Sequence, residues 1–142
     1  MDFKEFTVDS SEYQKALALR HEILRAPLKL NIVKEDLSIE KEQLHYGLFE
    51  ESKILSCLCV VPISPDKAKI RQMAVSNEFQ GKGLGSKLLL SCLDDLKKKG
   101  YSEVELNARK TAVNFYKKYG FQICSDEFIE VTIPHFKMNK TL

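Results

Sequence analysis

No stretch of this chain is apolar for long enough to span a bilayer. The opening residues, Met1-Asp2-Phe3-Lys4-Glu5-Phe6, are not a basic run followed by a hydrophobic one. Both features lead to the expectation of a cytoplasmic protein that meets no membrane. Charge of one sign is not in surplus either: 22 Lys and Arg stand against 20 Asp and Glu, so no general positive field exists to attract nucleic acid or anionic lipid. A nucleic-acid module is also disfavoured because aromatics are not interleaved with the lysines. The four cysteines, Cys57, Cys59, Cys92 and Cys124, form no Cys-x-x-Cys pair and have no histidine at zinc-ligand spacing. They read as reduced thiols in the core, and no metal is expected. Repeats, linkers and low-complexity tracts are lacking, and 142 residues at 44% hydrophobic content suit one domain spanning residues 1–142.

What is present is a change of hydrophobic period along the chain. Phe3 to Val8 suits a first strand. Asp9-Ser10-Ser11-Glu12 then offers capping residues for a helix carrying Tyr13, Ala16, Leu17, Leu19 and Arg20, which should stop near Ala26-Pro27. The segment to Glu42 is polar and irregular. Two apolar runs, Leu44 to Phe49 and Ile54 to Val61, flank Glu50-Glu51-Ser52-Lys53 as a hairpin, and a turn at Ser64-Pro65-Asp66-Lys67 leads to a strand from Ala68 to Val75. From Leu84 the spacing of Leu88, Leu89, Cys92, Leu93 and Leu96 is helical, closed by Lys97-Lys98-Lys99-Gly100. Val104 to Leu106 is a strand, Ala112 to Tyr119 a second helical stripe, and Phe121 to Cys124 and Val131 to Met138 suit final strands. The fold class expected is α/β, a twisted mixed sheet of six to seven strands with helices on both faces.

Between the Val75 strand and the Leu84 helix lies Gln80-Gly81-Lys82-Gly83-Leu84-Gly85-Ser86-Lys87. Closely spaced glycines at a helix start allow the backbone to approach an anion, while unpaired N–H groups point at it, so a phosphate-bearing ligand is the natural guest. The ATPase loop fails on spacing, because no glycine stands five positions before Gly85 and Ser86-Lys87 follow in the wrong order. The dinucleotide fingerprint fails because the third glycine arrives one residue early. The pattern [Gln/Arg]-x-x-Gly-x-[Gly/Ala] is met by Gln80, Gly83 and Gly85. Arg71-Gln72-Met73-Ala74-Val75 precedes it, and Asn107-Ala108-Arg109, Ala112 and Phe115-Tyr116-Lys117-Lys118-Tyr119-Gly120-Phe121 follow. On these motifs the chain resembles the GNAT superfamily of N-acetyltransferases. Leu19-Arg20, His45 and Ile133-Pro134-His135 before Met138 suggest its ElaA-like branch.

The resemblance implies acetyl-CoA as cosubstrate and a primary amine, of a small molecule, peptide or protein, as acceptor. It implies that Met73, Ala74 and Val75 present backbone to the pantetheine arm. The amides of Gly81, Lys82, Gly83, Leu84, Gly85 and Ser86 would bind the pyrophosphate, with Lys82 or Lys87 adding charge. Tyr116 is the candidate general acid for the departing thiolate and also borders the cofactor. His135, Glu130 and Glu105 are the candidate bases, His135 being favoured. Many family members carry Asn where Arg109 stands, so an amide contact is not carried to that position; Asn107 is the candidate for it. Glu35, Asp36 and Glu40 belong to a solvated loop or draw a cationic acceptor towards the cleft. A non-catalytic acyl-CoA-binding module is the alternative reading. The sequence leaves the acceptor open, and leaves open a monomer or a homodimer.

Overall fold

The computed structural model describes residues 1–142. β1 (Asp2–Phe6), β2 (Leu44–Glu50), β3 (Lys53–Ser64) and β4 (Lys67–Val75) form an antiparallel meander. Its β2–β3 turn is as short as a hairpin allows. Glu51 and Ser52 take φ of 49° and 69°, the left-handed pair of a two-residue turn whose twist matches its strands. α2 (Leu84–Lys98) then crosses to β5 (Glu103–Arg109), which lies parallel to β4. α3 (Val113–Lys118) leads to β6 (Gln122–Ile123), and the chain ends in β7 (Phe128–Glu130) and β8 (Ile133–Thr141). β8 pairs with β5 on one edge and with β6 and β7 on the other.

The sheet therefore has eight strands, where the sequence suggested six or seven. The run from Val131 to Met138 is not one strand, because Val131 and Thr132 form the β7–β8 turn with φ of 49° and 64°. β-branched residues seldom adopt that region, which is why the alternation hides the turn.

α2 and α3 cover one face. The six residues read as the α2 stripe, Leu84, Leu88, Leu89, Cys92, Leu93 and Leu96, are all buried, against Leu58, Val60, Ala68, Ile70, Val104 and Leu106. α1 (Ser11–Arg20) covers part of the other face, where Tyr13, Ala16 and Leu19 meet Phe6, Phe49, Cys57 and Ala74. It starts as expected, with the Ser10 hydroxyl accepting from Tyr13 N–H at 3.1 Å. Beyond Arg20 the chain stays helical but loosens into a π-helical turn, His21–Arg25, and then a tight turn at Ala26–Leu28 containing Pro27. Cys57, Cys59 and Cys92 are buried as expected, and burial pushes the Cys57 thiol up to about 12 and that of Cys59 to about 11. Cys124 is a correction to the core-thiol reading: it is exposed, in the short β6 region at the sheet margin.

A second correction concerns Glu40, which is not in a solvated loop. Arg20 is in phase with Tyr13 and Ala16, so it points into the protein and is 2% exposed. Its guanidinium grips Glu40 bidentately at 2.8 and 2.7 Å and donates from Nε to Gln72 Oε1 at 2.7 Å. Tyr13 Oη donates to the same carboxylate at 2.8 Å, and His45 Nε2 donates to the Glu40 carbonyl at 2.7 Å. Burial works to raise the Glu40 carboxyl, but the Arg20 fork outweighs it and holds the group below the usual range.

Removing one partner of such a pair leaves a buried charge. Arg20→Met should therefore lose about 3–5 kcal/mol in urea unfolding at neutral pH, and the Arg20→Met/Glu40→Met double variant should recover part of the loss. Because the folded carboxyl is depressed, the pair stabilises fully above the ordinary carboxylate range and fades as pH falls through the folded value. The wild-type and double-variant curves should accordingly converge in acid. An Arg20→Met midpoint equal to wild type at pH 7 would show that the pair contributes nothing.

Candidate active site

β4 changes character at Gln72. Opposite β3, Cys57 pairs with Ala74 and Cys59 with Arg71, so β4 carries one extra residue, and Gln72 takes a φ of 55°. The bulge exchanges the faces of the strand. Ala68 and Ile70 pack towards α2, whereas beyond the bulge Ala74 packs under α1 and Met73 and Val75 turn towards α2. The parallel pairing of β4 with β5 also ends at Ile70 and Leu106. From there the two strands diverge, and Gln72 to Val75 have no strand partner on the β5 side, where the Val75 carbonyl meets only the Gln80 side chain.

The wedge opens into a cleft of about 860 Å³. At its mouth stands the glycine loop, tied back by Gln80 Nε2, which donates to the Val75 carbonyl at 3.2 Å and to Asn77 Oδ1 at 3.0 Å. Gly83 caps α2 with a φ of 75°. The Lys87 N–H donates to its carbonyl at 3.0 Å, leaving the N–H groups of Leu84, Gly85 and Ser86 without helical acceptors. Gly85 has a different reason to be glycine. A Cβ there would stand 3.3 Å from Val75 Cγ2 and 3.6 Å from Met73 Cε, so its absence lets α2 lie close on β4.

α3 supplies the floor. Phe115, Tyr116, Tyr119 and Phe121 form an edge-to-face cluster with centroids 5.1 to 5.8 Å apart. Tyr119 Oη donates to Ser86 Oγ at 2.6 Å, joining α3 to the loop. Burial pushes the Tyr116 phenol up to about 12, so it keeps its proton throughout the neutral range.

The far end of the cleft is polar. His135 is 6% exposed and stands between Arg109 of β5 and Phe128 of β7, whose ring stacks on it at 5.9 Å. Its Nδ1 lies 2.7 Å from the Ile133 carbonyl, and a carbonyl can only accept. The neutral ring therefore carries its proton on Nδ1 and presents a lone pair at Nε2. Asn107 Nδ2 donates to Glu130 Oε2 at 2.7 Å, while the buried Asn107 Oδ1 has no donor within the protein.

Most residues singled out in the sequence meet at this cleft. Met73, Ala74, Val75, Gln80, Gly81, Gly83, Leu84, Gly85, Ser86, Asn107, Tyr116, Glu130 and His135 all line it. Lys82 does not; its ammonium lies 5.6 Å from the centre of the Phe79 ring, beside the mouth. Glu105 is engaged with Lys67 and Lys137 at 3.4 and 3.2 Å and is absent from the lining. Glu35 lines the cleft, accepting from Arg25 Nε at 2.6 Å, whereas Asp36 stays exposed and caps Ser38. Sequence reasoning missed Gln72 and the Arg20 network behind it. The available signal was a charged residue in phase with the apolar face of α1.

The whole fold is shared with known acyltransferases. An acyl-CoA N-acyltransferase from Pseudomonas aeruginosa superposes with a TM-score of 0.83 at 23% identity, covering 98% of each chain. ElaA from Escherichia coli superposes with a TM-score of 0.82 at 18% identity, covering 99% of each chain. Among curated proteins, the uncharacterized protein YyaT of Bacillus subtilis is 37% identical over 53% of this chain and 51% of its own. The chain thus spans about half the length of that relative. The model of the acetyltransferase (GNAT) domain matches residues 7–142. The chain belongs to the GNAT acetyltransferase family.

The two loop glycines should fail for different reasons when replaced. Gly83→Val forces a β-branched residue into left-handed backbone and should cost about 1–2 kcal/mol. Gly85→Val presses on Val75 and Met73 and should cost about 1–3 kcal/mol. Urea midpoints unchanged from wild type in both variants would contradict this account of the loop.

Proposed function

We propose that this protein is an N-acetyltransferase that moves an acetyl group from acetyl-CoA directly to a primary amine held in the same cleft, without an acyl-enzyme. The reading is carried by the divergence of β4 from β5 at the Gln72 bulge, with a phosphate-type loop at its mouth and a protonated phenol at its floor. The pantetheine arm would lie along Met73, Ala74 and Val75 as an added strand, because only main chain left unpaired can accept one. Amides from Gly81 to Ser86, at the positive end of α2, suit the pyrophosphate, and Lys82 and Lys87 add charge from outside. Asn107 Oδ1, buried without a donor, suits an amide N–H of the same arm. Free thiols and an acetyl-CoA donor fit a cytoplasmic setting, and residues 1–142 would act as one domain.

The chemistry requires two proton movements. The acceptor amine attacks the thioester carbonyl, the C–N bond forms, and a backbone N–H near Val75 steadies the oxyanion. As the C–S bond breaks, Tyr116 gives its phenolic proton to the departing thiolate. The surplus proton of the amine passes to Nε2 of His135, directly or through water. The proton taken up by His135 then returns to deprotonated Tyr116, directly or by exchange through solvent, which restores both groups and leaves the amide and the free thiol as products. The acceptor is the amine of a small molecule or of a polypeptide.

Tyr116→Phe is the test, since it removes the donor and keeps the ring. Under saturating acetyl-CoA the kcat should fall at least tenfold, part of the roughly 10²–10⁴-fold that proton transfer supplies, while acetyl-CoA affinity and melting temperature stay close to wild type. A kcat loss below tenfold would remove Tyr116 from the mechanism. Affinity without turnover in the wild type, across an amine panel, would favour a binding module. In calorimetry, wild-type acetyl-CoA affinity in a folded Gly83→Val variant would overturn the loop assignment.

A further inference from the structure

The sheet face that α1 leaves open beyond β4 carries more cations than it has partners for. Strand alternation fixes which side chains share it. Lys67 and Lys137 both reach the carboxylate of Glu105, so β4, β5 and β8 residues in phase with these three lie on the same face. Phase then places Lys69 and Arg71 there from β4, Arg109 from β5 and His135 from β8. Arg71 pairs directly with Cys59 of β3, which stands under the Arg20 network on the α1 side.

Glu105 is shared between Lys67 and Lys137, and Glu35 is bound by Arg25; Glu130 accepts from the neutral Asn107 amide and keeps its charge. Lys69, Arg71 and Arg109 enter no ion pair, yet all three line the cleft. In the lining as a whole, Arg25, Lys69, Arg71 and Arg109 outnumber Glu35 and Glu130. Arg109 is half-buried; burial first, and the like charge of Arg25 second, pull its guanidinium below the ordinary value. A partly dehydrated guanidinium without an ion-pair partner, lining a cleft that also holds Arg25, Arg71 and Lys69, suits an anion.

The donor's phosphates do not account for this charge. Their loop meets β4 at Val75 and Met73, from the α2 side. Lys69 lies on the opposite face and six residues upstream, roughly 15–20 Å along the strand after allowance for the bulge.

We propose that the acceptor is an anionic amine: a primary amine whose own carboxylate or phosphate group is held by Arg109, with Arg71 and Lys69, beside His135. This rests on the acetyl-transfer reading and narrows its acceptor. The same cations repel polycationic amines, which gives discrimination by charge as well as attraction. They also disfavour the ammonium form of the bound acceptor, which must be neutral to attack.

The test is steady-state acetylation of three anionic acceptors, 4-aminobutyrate, 3-aminopropylphosphonate and glutamate, against butylamine, 1,4-diaminobutane and lysine amide. At least one anionic acceptor should exceed every neutral and cationic one by about tenfold or more in kcat/KM. The carboxylate and phosphonate arms identify the preferred group. Arg109→Gln should bring the best anionic acceptor down to the level of butylamine, and Arg109→Glu should reverse the order. The proposal is overturned if butylamine or a diamine matches the anionic acceptors, if Arg109→Gln leaves the order intact, or if wild-type protein acetylates a neutral or cationic amine but none of the anionic set. No acetyl-CoA binding by the wild type in calorimetry, or binding with no turnover on any of the six amines, would instead overturn the acetyl-transfer reading, so the two failures are distinguishable.

Discussion

Arg20 donating to Gln72 from within its pair with Glu40 is the contact on which the working end of the molecule depends. A non-glycine residue at a φ of 55° inside a strand is held against a cost of order 1–3 kcal/mol, and something must hold it there. Here it is a buried, charge-assisted network drawn from two segments of the chain. Arg20 comes from α1, Glu40 from the segment before β2, and Tyr13 from one helical face with Arg20. The network ties the irregular stretch between α1 and β2 to the centre of the sheet. Through that bulge β4 swaps its faces, and beyond it the strand parts from β5. The cleft is thus a consequence of one extra residue, kept in place by a buried ion pair.

This division of labour explains what was legible beforehand. Regular elements were readable because each follows one rule: the leucine spacing of α2 matches its buried set residue for residue, and the hairpin around Glu51-Ser52 lies between two apolar runs. The glycine loop was readable because a helix start with little side chain is chemically unusual. Irregular features were not. Gln72 looks like an ordinary strand residue, and nothing in a linear pattern marks it as the extra residue of a bulge. Val131-Thr132 has the composition of a strand and the conformation of a turn, and Glu40 sits in a polar segment whose burial depends on a partner twenty residues away.

The two ends of the cleft are built from opposite electrostatic materials. At the loop the free polar groups are the unpaired N–H groups of Leu84, Gly85 and Ser86. At the other end they are side chains: guanidiniums, one imidazole whose Nδ1 meets the Ile133 carbonyl, and the carboxylates of Glu130 and Glu35, tied to Asn107 and Arg25. Backbone donors suit a ligand that must be gripped the same way each time. Side chains can be exchanged without disturbing the sheet, so that is where specificity can change while the fold stays constant.

Arg109 illustrates the point. Its backbone is fixed between β8 and the end of β5, where it pairs with His135, so any side chain at this position faces the same space. An asparagine there would offer a neutral amide. An arginine offers a permanent charge that burial makes costly, and Arg25 adds repulsion to that cost. A charge kept at such a position without a counterion of its own is more stable when an anion enters. Under the anionic-acceptor proposal, occupancy of that end would relieve the repulsion, and the fold itself, anchored on the other side of the bulge by Arg20 and Glu40, would not have to move for this to happen.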